Sequence, residues 1–130
     1  MKKTLALLMN GFESSSTKTP EFKSFCRVFK SEFTKELQSI GATDIVFSYG
    51  HFYISGFFTI GGEKWYFSLS DVRDMDDCLK HNPDSCICKL MYREVKDYKD
   101  YTGGQNRYVR IETDMSSKMC WYFKMIEKYM

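Results

Sequence analysis

The spacing of apolar and polar positions changes along this chain, and each change marks the start of a new element. Residues 1–9 begin with Met1, Lys2 and Lys3, continue through Leu5, Ala6, Leu7, Leu8 and Met9, and then meet Asn10, Gly11 and Glu13. The run imitates the start of a secretory signal, but it is shorter than the roughly 7–15 apolar residues such a segment carries and has no small-residue cleavage site behind it. It predicts a short first helix. A Ser/Thr-rich connector over residues 13–19 leads to Thr19-Pro20-Glu21, which offers an N-cap, a proline at the first helical position and an early acid. From there Phe22, Phe25, Cys26, Phe29, Phe33, Leu37 and Ile40 recur at three- and four-residue steps, while Lys23, Arg27, Lys30, Glu32, Lys35 and Glu36 occupy other faces. This is a second helix, ended by Gly41, with its aromatic stripe turned to a core.

From Thr43 the period becomes two. Ile45, Phe47 and Tyr49 fall on one side of a first strand, with Val46 and Ser48 on the other. After Gly50, residues 51–60 place Phe52, Ile54, Phe58 and Ile60 opposite His51, Tyr53, Ser55, Phe57 and Thr59. Gly61-Gly62 is a two-residue hairpin signal, and residues 63–70 return with Trp65, Phe67 and Leu69 alternating against Lys64, Tyr66, Ser68 and Ser70. The polar stretch 71–84 reads as a loop or short helical turn. Residues 86–96 and 106–112 read as two further strands, and Thr113 can cap a last helix carrying Met115, Met119, Tyr122, Phe123, Ile126 and Met130. The order ααβββββα predicts an α+β domain spanning residues 1–130: an antiparallel sheet of about five strands with helices packed on one face.

Composition narrows the function classes. A chain of 130 residues buries roughly two-thirds of its unfolded surface, enough for a core without staples. Aromatics at 17% and charged residues at 28% describe an aromatic-rich globule, not a disordered chain. The net charge of +2 is too even to predict nonspecific binding to nucleic acid, and leaves room for a local basic patch. No apolar run approaches the roughly 20 residues that cross a bilayer. Five cysteines lack the density of a disulfide scaffold, so a cytoplasmic setting is expected.

Candidate chemistry is sparse. Cys78, His81, Cys86 and Cys88 supply three thiols and one imidazole, the donor set of a tetrahedral zinc site, although this spacing is not a standard one and free cysteines in a loop fit equally. Asp84 with Asp97 and Lys99 matches the loose pattern of a metal-dependent nuclease. If residues 86–96 form one strand, however, the two acids lie roughly 40 Å apart and cannot share a metal. His51 with Cys120 is a conceivable nucleophile pair, and no hydrolase, P-loop or dinucleotide signature is present. The outer face of the sheet is the more productive candidate. Tyr53, Phe57 and Tyr66, with Tyr92 or Tyr108, are expected on the side away from the helices, with Arg93 and Arg110 nearby. Tyr and Arg dominate protein-interface hot spots and also stack on and clamp single-stranded nucleic acid. The alternative is that a dimer or the first helix buries these rings.

A resemblance adds to this. Thr19-Pro20-Glu21-Phe22, Phe25-Cys26-Arg27, Ile40-Gly41-Ala42, the run from Gly50 to Phe58, Tyr66-Phe67-Ser68, Ser70-Asp71-Val72-Arg73, and Lys99-Asp100-Tyr101-Thr102-Gly103-Gly104 with Asn106 and Tyr108 resemble a family of small proteins carried on phages and conjugative elements of low-GC Gram-positive bacteria. That family brings no established activity, and the segment 75–88 is longer and richer in cysteine than its pattern. The resemblance implies a mobile-element accessory protein, of the size and character of anti-CRISPR proteins. The expected function is non-enzymatic inhibition of a host nucleoprotein effector such as a CRISPR nuclease. Its contacts would be Tyr53, Phe57 and Tyr66, Asp71 and Arg73, Lys99, Asp100 and Tyr101, and Arg110. The rival expectation is a single-strand nucleic-acid binder that uses the same tyrosines with Arg93, Arg107 and Arg110.

Overall fold

The computed structural model describes residues 1–10, 20–49, 54–69, 89–100 and 105–110. Two helices, α1 (Lys2–Asn10) and α2 (Pro20–Ser39), precede the strands β1 (Thr43–Tyr49), β2 (Ile54–Ile60), β3 (Glu63–Leu69), β4 (Lys89–Val95) and β5 (Arg107–Arg110). All pairings are antiparallel and follow chain order, so among the described residues β1 and the four-residue β5 form the edges of the sheet. The class is α+β, as the change of period predicts. The last helix expected after Thr113 and the loop over residues 71–84 lie outside the described residues.

The hairpin between β2 and β3 turns at Gly61-Gly62, where φ is 58° and 81°. Two successive positive φ angles make the primed turn that matches strand twist, and only glycine adopts both without strain. Its register pairs Ile54 with Leu69, Gly56 with Phe67, and Phe58 with Trp65 on one face, and Ser55 with Ser68 and Phe57 with Tyr66 on the other.

α2 covers the first of these faces. Phe22, Phe25, Cys26, Phe29, Phe33 and Leu37 are all buried. They meet Phe58, Trp65, Phe67, Leu69, Leu90 and Tyr92 in one core, with Ile45 and Phe47 packed against it. Within it Phe29 stacks on Phe33 at 5.0 Å, and Phe33 meets Phe67 edge-on at 4.9 Å. Burying each such side chain contributes about 1.5–3 kcal/mol, so the stripe, more than helix propensity, holds α2 on the sheet. Cys26 belongs to this core, and burial pushes its thiol up to about 11, which leaves it protonated and unreactive at neutral pH.

Gly56 sets how closely the layers approach. It sits between Phe47 of β1 and Phe67 of β3 in one cross-strand row. The Phe67 ring lies over it, within 2.7 Å of where a Cβ would stand, and the Val46 carbonyl oxygen fills the rest of that space. The ring therefore reaches Phe47, 5.3 Å away, across a gap that any side chain would close.

α1 is fastened to α2 by polar contacts. Glu32 accepts hydrogen bonds from the Lys3 and Thr4 amides, both at 2.8 Å, and so satisfies donors that the first turn of a helix leaves free. Glu36 and Glu32 also lie 3.4 Å and 3.9 Å from the Met1 ammonium group. Burial alone would raise the Glu32 carboxyl, but the hydrogen bonds from Thr4 and Lys3 and the nearby ammonium outweigh it and hold it below the ordinary carboxylate range.

Candidate functional site

The second face of the sheet carries the residues expected to bind a partner. Strand register places Val46, Phe57, Tyr66 and Arg93 side by side across β1, β2, β3 and β4. Next to this row run Ser48, Ser55, Ser68 and Met91, with Tyr108 across from Met91 on β5. The alternation of apolar and polar residues thus brings Phe57, Tyr66 and Arg93 together on the face away from α2, as their spacing predicts. Tyr92 falls on the other face, in the helix-covered core, and not among the outer tyrosines.

Exposure is where the expectation fails. Phe57 and Tyr66 are 3% and 2% exposed, so neither is available to a visiting macromolecule. They form a second small core with Val95, against which Met91 and Tyr98 pack. The segment after β4 supplies part of the cover. Tyr98 stacks on Phe57 with ring centroids 5.0 Å apart. Its hydroxyl donates to the Asp44 carbonyl at 2.7 Å, and the Thr59 hydroxyl, 2.7 Å away, is left to donate to it. The sequence hides this because Tyr98 sits among Asp97, Lys99 and Asp100, where charge masks an aromatic that folds inward. Neither the first helix nor a dimer is needed to explain its contact.

Arg93 is likewise internal. Only 3% of it is exposed, and its guanidinium carbon lies 4.7 Å over the Tyr66 ring. Its Nη2 donates to the Asp100 carbonyl at 2.8 Å, and its Nη1 lies 3.8 Å from the Asp100 carboxylate. Asp100 also accepts from the Lys96 amide at 3.2 Å. Asp100, expected to face a partner, instead closes the loop after β4 around a buried cation. Lys99 is exposed beside it. Asp97, the nuclease-pattern acid, accepts a hydrogen bond from the Lys99 amide at 2.8 Å and organises that turn.

Arg110 occupies the last position of β5, across from Lys89. Tyr53, Asp71, Arg73 and Tyr101 lie outside the described residues, as do Asp84, His51, Cys120 and the zinc candidates Cys78, His81, Cys86 and Cys88. Among the described residues, no group of three or more His, Cys, Asp and Glu side chains is placed to hold a metal, and no helix is long and apolar enough to cross a membrane.

Among the described residues, the edge at β1 is left open on this side of the fold. Among the described residues β1 pairs with β2 alone. Its first half is irregular: the register shifts between Thr43 and Val46, and Asp44 takes a φ of 53°. Bulges and charged side chains of this kind blunt a strand edge against pairing. The second half, from Val46 to Tyr49, pairs regularly with β2. Val46, at 48%, is the large apolar side chain left exposed among the described residues. It is also the outer end of the buried row Phe57-Tyr66-Arg93. The sequence signal for this was present in the alternation of β1, but nothing in it distinguished an edge strand from a central one. The fold and this geometry stand without a likeness to lean on, since no family model, curated protein or solved structure matches the chain.

Proposed function

We propose that the protein acts by binding, as a mobile-element accessory protein that inhibits a host defence nucleoprotein effector such as a CRISPR nuclease in the bacterial cytoplasm. The mobile-element setting rests on the sequence resemblance. The observation that carries the binding mode is the β1 edge, which among the described residues pairs on one side alone and carries an exposed Val46. A strand from a partner added there would gain main-chain hydrogen bonds and would continue the apolar row beyond Val46. This moves the contact from the sheet face to its edge. It also favours a protein partner over single-stranded nucleic acid, since Phe57 and Tyr66 offer no stacking surface.

The test is plasmid interference in cells with an active CRISPR system. Expression of the chain should restore transformation by a targeted plasmid, and Val46→Lys, which puts a charge on the edge, should abolish that restoration while the protein stays folded. If the unaltered chain leaves interference intact against each CRISPR type of its host range, the reading fails.

A further inference from the structure

We infer that the outer flank of α2 is a docking surface for the phosphate backbone of a double-stranded nucleic acid, held by Lys23, Arg27 and Lys30. All three side chains are exposed, and among the described residues none forms an ion pair. At about 100° and 1.5 Å per residue they fall within roughly 60° of one another around the helix, about 6 Å and 4.5 Å apart along it. They form one ridge. The charged end of Lys30 is held in place, with its ammonium nitrogen 5.8 Å from the centre of the Phe47 ring.

The ridge works against the helix that carries it. Lys23 and Arg27 are four residues apart and Arg27 and Lys30 three, spacings at which like charges repel. Lys23 lies in the first turn of α2, where the helix dipole disfavours positive charge, and the last turn carries no basic residue at all. Glu32 and Glu36 stand on the opposite side of α2 from the ridge, where they face the start of α1. Among the described residues no carboxylate pairs with these three cations, and their concentrated positive charge is complementary to a polyanion.

The neighbours of the ridge select the kind of polyanion. Ser31 and Gln38 are exposed and Ser24 and Thr34 half-buried on the same side of α2, and no apolar anchor stands among them. A protein interface needs such an anchor at its centre, whereas Lys, Arg, Ser, Thr and Gln are the side chains that contact phosphates. Single-strand sites add aromatic platforms for unstacked bases, and this flank exposes none, which leaves a duplex backbone as the matching occupant. The inference does not depend on the β1 edge, since the two surfaces use different residues.

The experiment is fluorescence-anisotropy titration of a labelled DNA duplex of about 20 base pairs, and of its single strand, over about 50 to 200 mM salt. With three phosphates neutralised, log K should fall against log salt with a slope of about −2.7, or about 40-fold over that range. The variant Lys23→Gln/Arg27→Gln/Lys30→Gln should lose this binding and its salt slope while its thermal melt matches that of the unaltered protein. If the triple variant melts early, Arg27→Gln alone should flatten the slope by about 0.9. Lys64→Gln, exposed on β3 and not on α2, should bind as before. Val46→Lys should not weaken duplex binding even where it ends effector inhibition, so failure of the edge and failure of the ridge are separable. Absence of duplex binding at low salt, an unchanged slope in the ridge variants, or tighter binding of the single strand would overturn the inference.

Discussion

Tyr98 lies nearly parallel to Phe57, with ring planes 15° apart and centroids 5.0 Å apart, and from that position its hydroxyl bridges Thr59 and the carbonyl of Asp44. Three residues beyond the end of β4, Tyr98 thereby ties three strands together: β2 through the ring, β2 and β1 through the hydroxyl, and β4 through the chain itself. The left-handed backbone at Asp44 fits the same arrangement, since the bulge there leaves its carbonyl to receive the phenol. Two substitutions separate the contributions. Tyr98→Phe keeps the stacked ring and loses the hydrogen bonds, which should lower stability by about 1 kcal/mol. Tyr98→Ala also uncovers Phe57 and should lower it by about 3 kcal/mol. Urea unfolding of the two variants checks the order, and equal losses would mean that the ring contributes nothing.

Gly56 gives a sharper case. At a strand position of ordinary backbone, replacing glycine by alanine stabilises by roughly 0.4–1 kcal/mol through the unfolded state. Here the added methyl would meet the Phe67 ring at 2.7–2.8 Å and the backbone oxygen of Val46. A ring can tilt; a carbonyl fixed in the pairing of β1 with β2 cannot. Gly56→Ala should therefore destabilise by about 3 kcal/mol, and adding Phe67→Leu should not restore the loss, because the clash with Val46 persists. Recovery in the double variant would assign the cost to the ring alone.

The fold was largely legible because each element announces itself through a local period. The three-and-four spacing from Phe22 to Leu37 has no strand reading, and the alternation on either side of Gly61-Gly62 has no helical one, so both appear where the pattern puts them. The binding face was not legible for a different reason. Alternation says that Phe57 and Tyr66 share a side and that Trp65 and Phe67 share the other, but both sides are apolar enough to be buried. Which residues cover the outer side depends on Tyr98 and Asp100, and their roles come from where a turn sends the chain, not from any repeat. Arg93 shows the same limit: a cation on a strand reads as solvent-facing until a carboxylate from the following turn closes over it.

Glu32 makes a pH-dependent joint between the helices. Its carboxyl is held below the ordinary value of 4.5 in the folded protein by hydrogen bonds that only the ionised form accepts fully. A depressed folded-state pKa contributes stability above the unfolded pKa and loses it as pH falls through the folded one. The unaltered protein should therefore exceed Glu32→Gln in thermal stability at neutral pH, with the gap closing as pH drops below about 4.5. Melts of both proteins from pH 7 downward measure it. A gap that stays constant with pH would mean that the glutamate acts through shape and not through its charge.

Arg93 and Asp100 form the remaining coupled pair, and the expected asymmetry between them tests the claim that Asp100 is structural. The guanidinium is 3% exposed, whereas the Asp100 side chain keeps 19% of its surface. Removing the acid leaves a buried cation with its carboxylate gone. Such a loss costs about 3–5 kcal/mol for fully buried pairs, and about 2 kcal/mol is expected here because Asp100 remains partly hydrated and its carbonyl still accepts from Nη2. Replacing the cation by an apolar chain of similar length removes the buried charge itself. Asp100→Ala should therefore be more destabilising than Arg93→Met, and the double variant should recover part of the Asp100→Ala loss, since the buried charge over Tyr66 is then removed together with its carboxylate. Chemical denaturation of the three variants reads the coupling directly. Strictly additive losses would show that the two residues stabilise the loop after β4 independently and not as a pair.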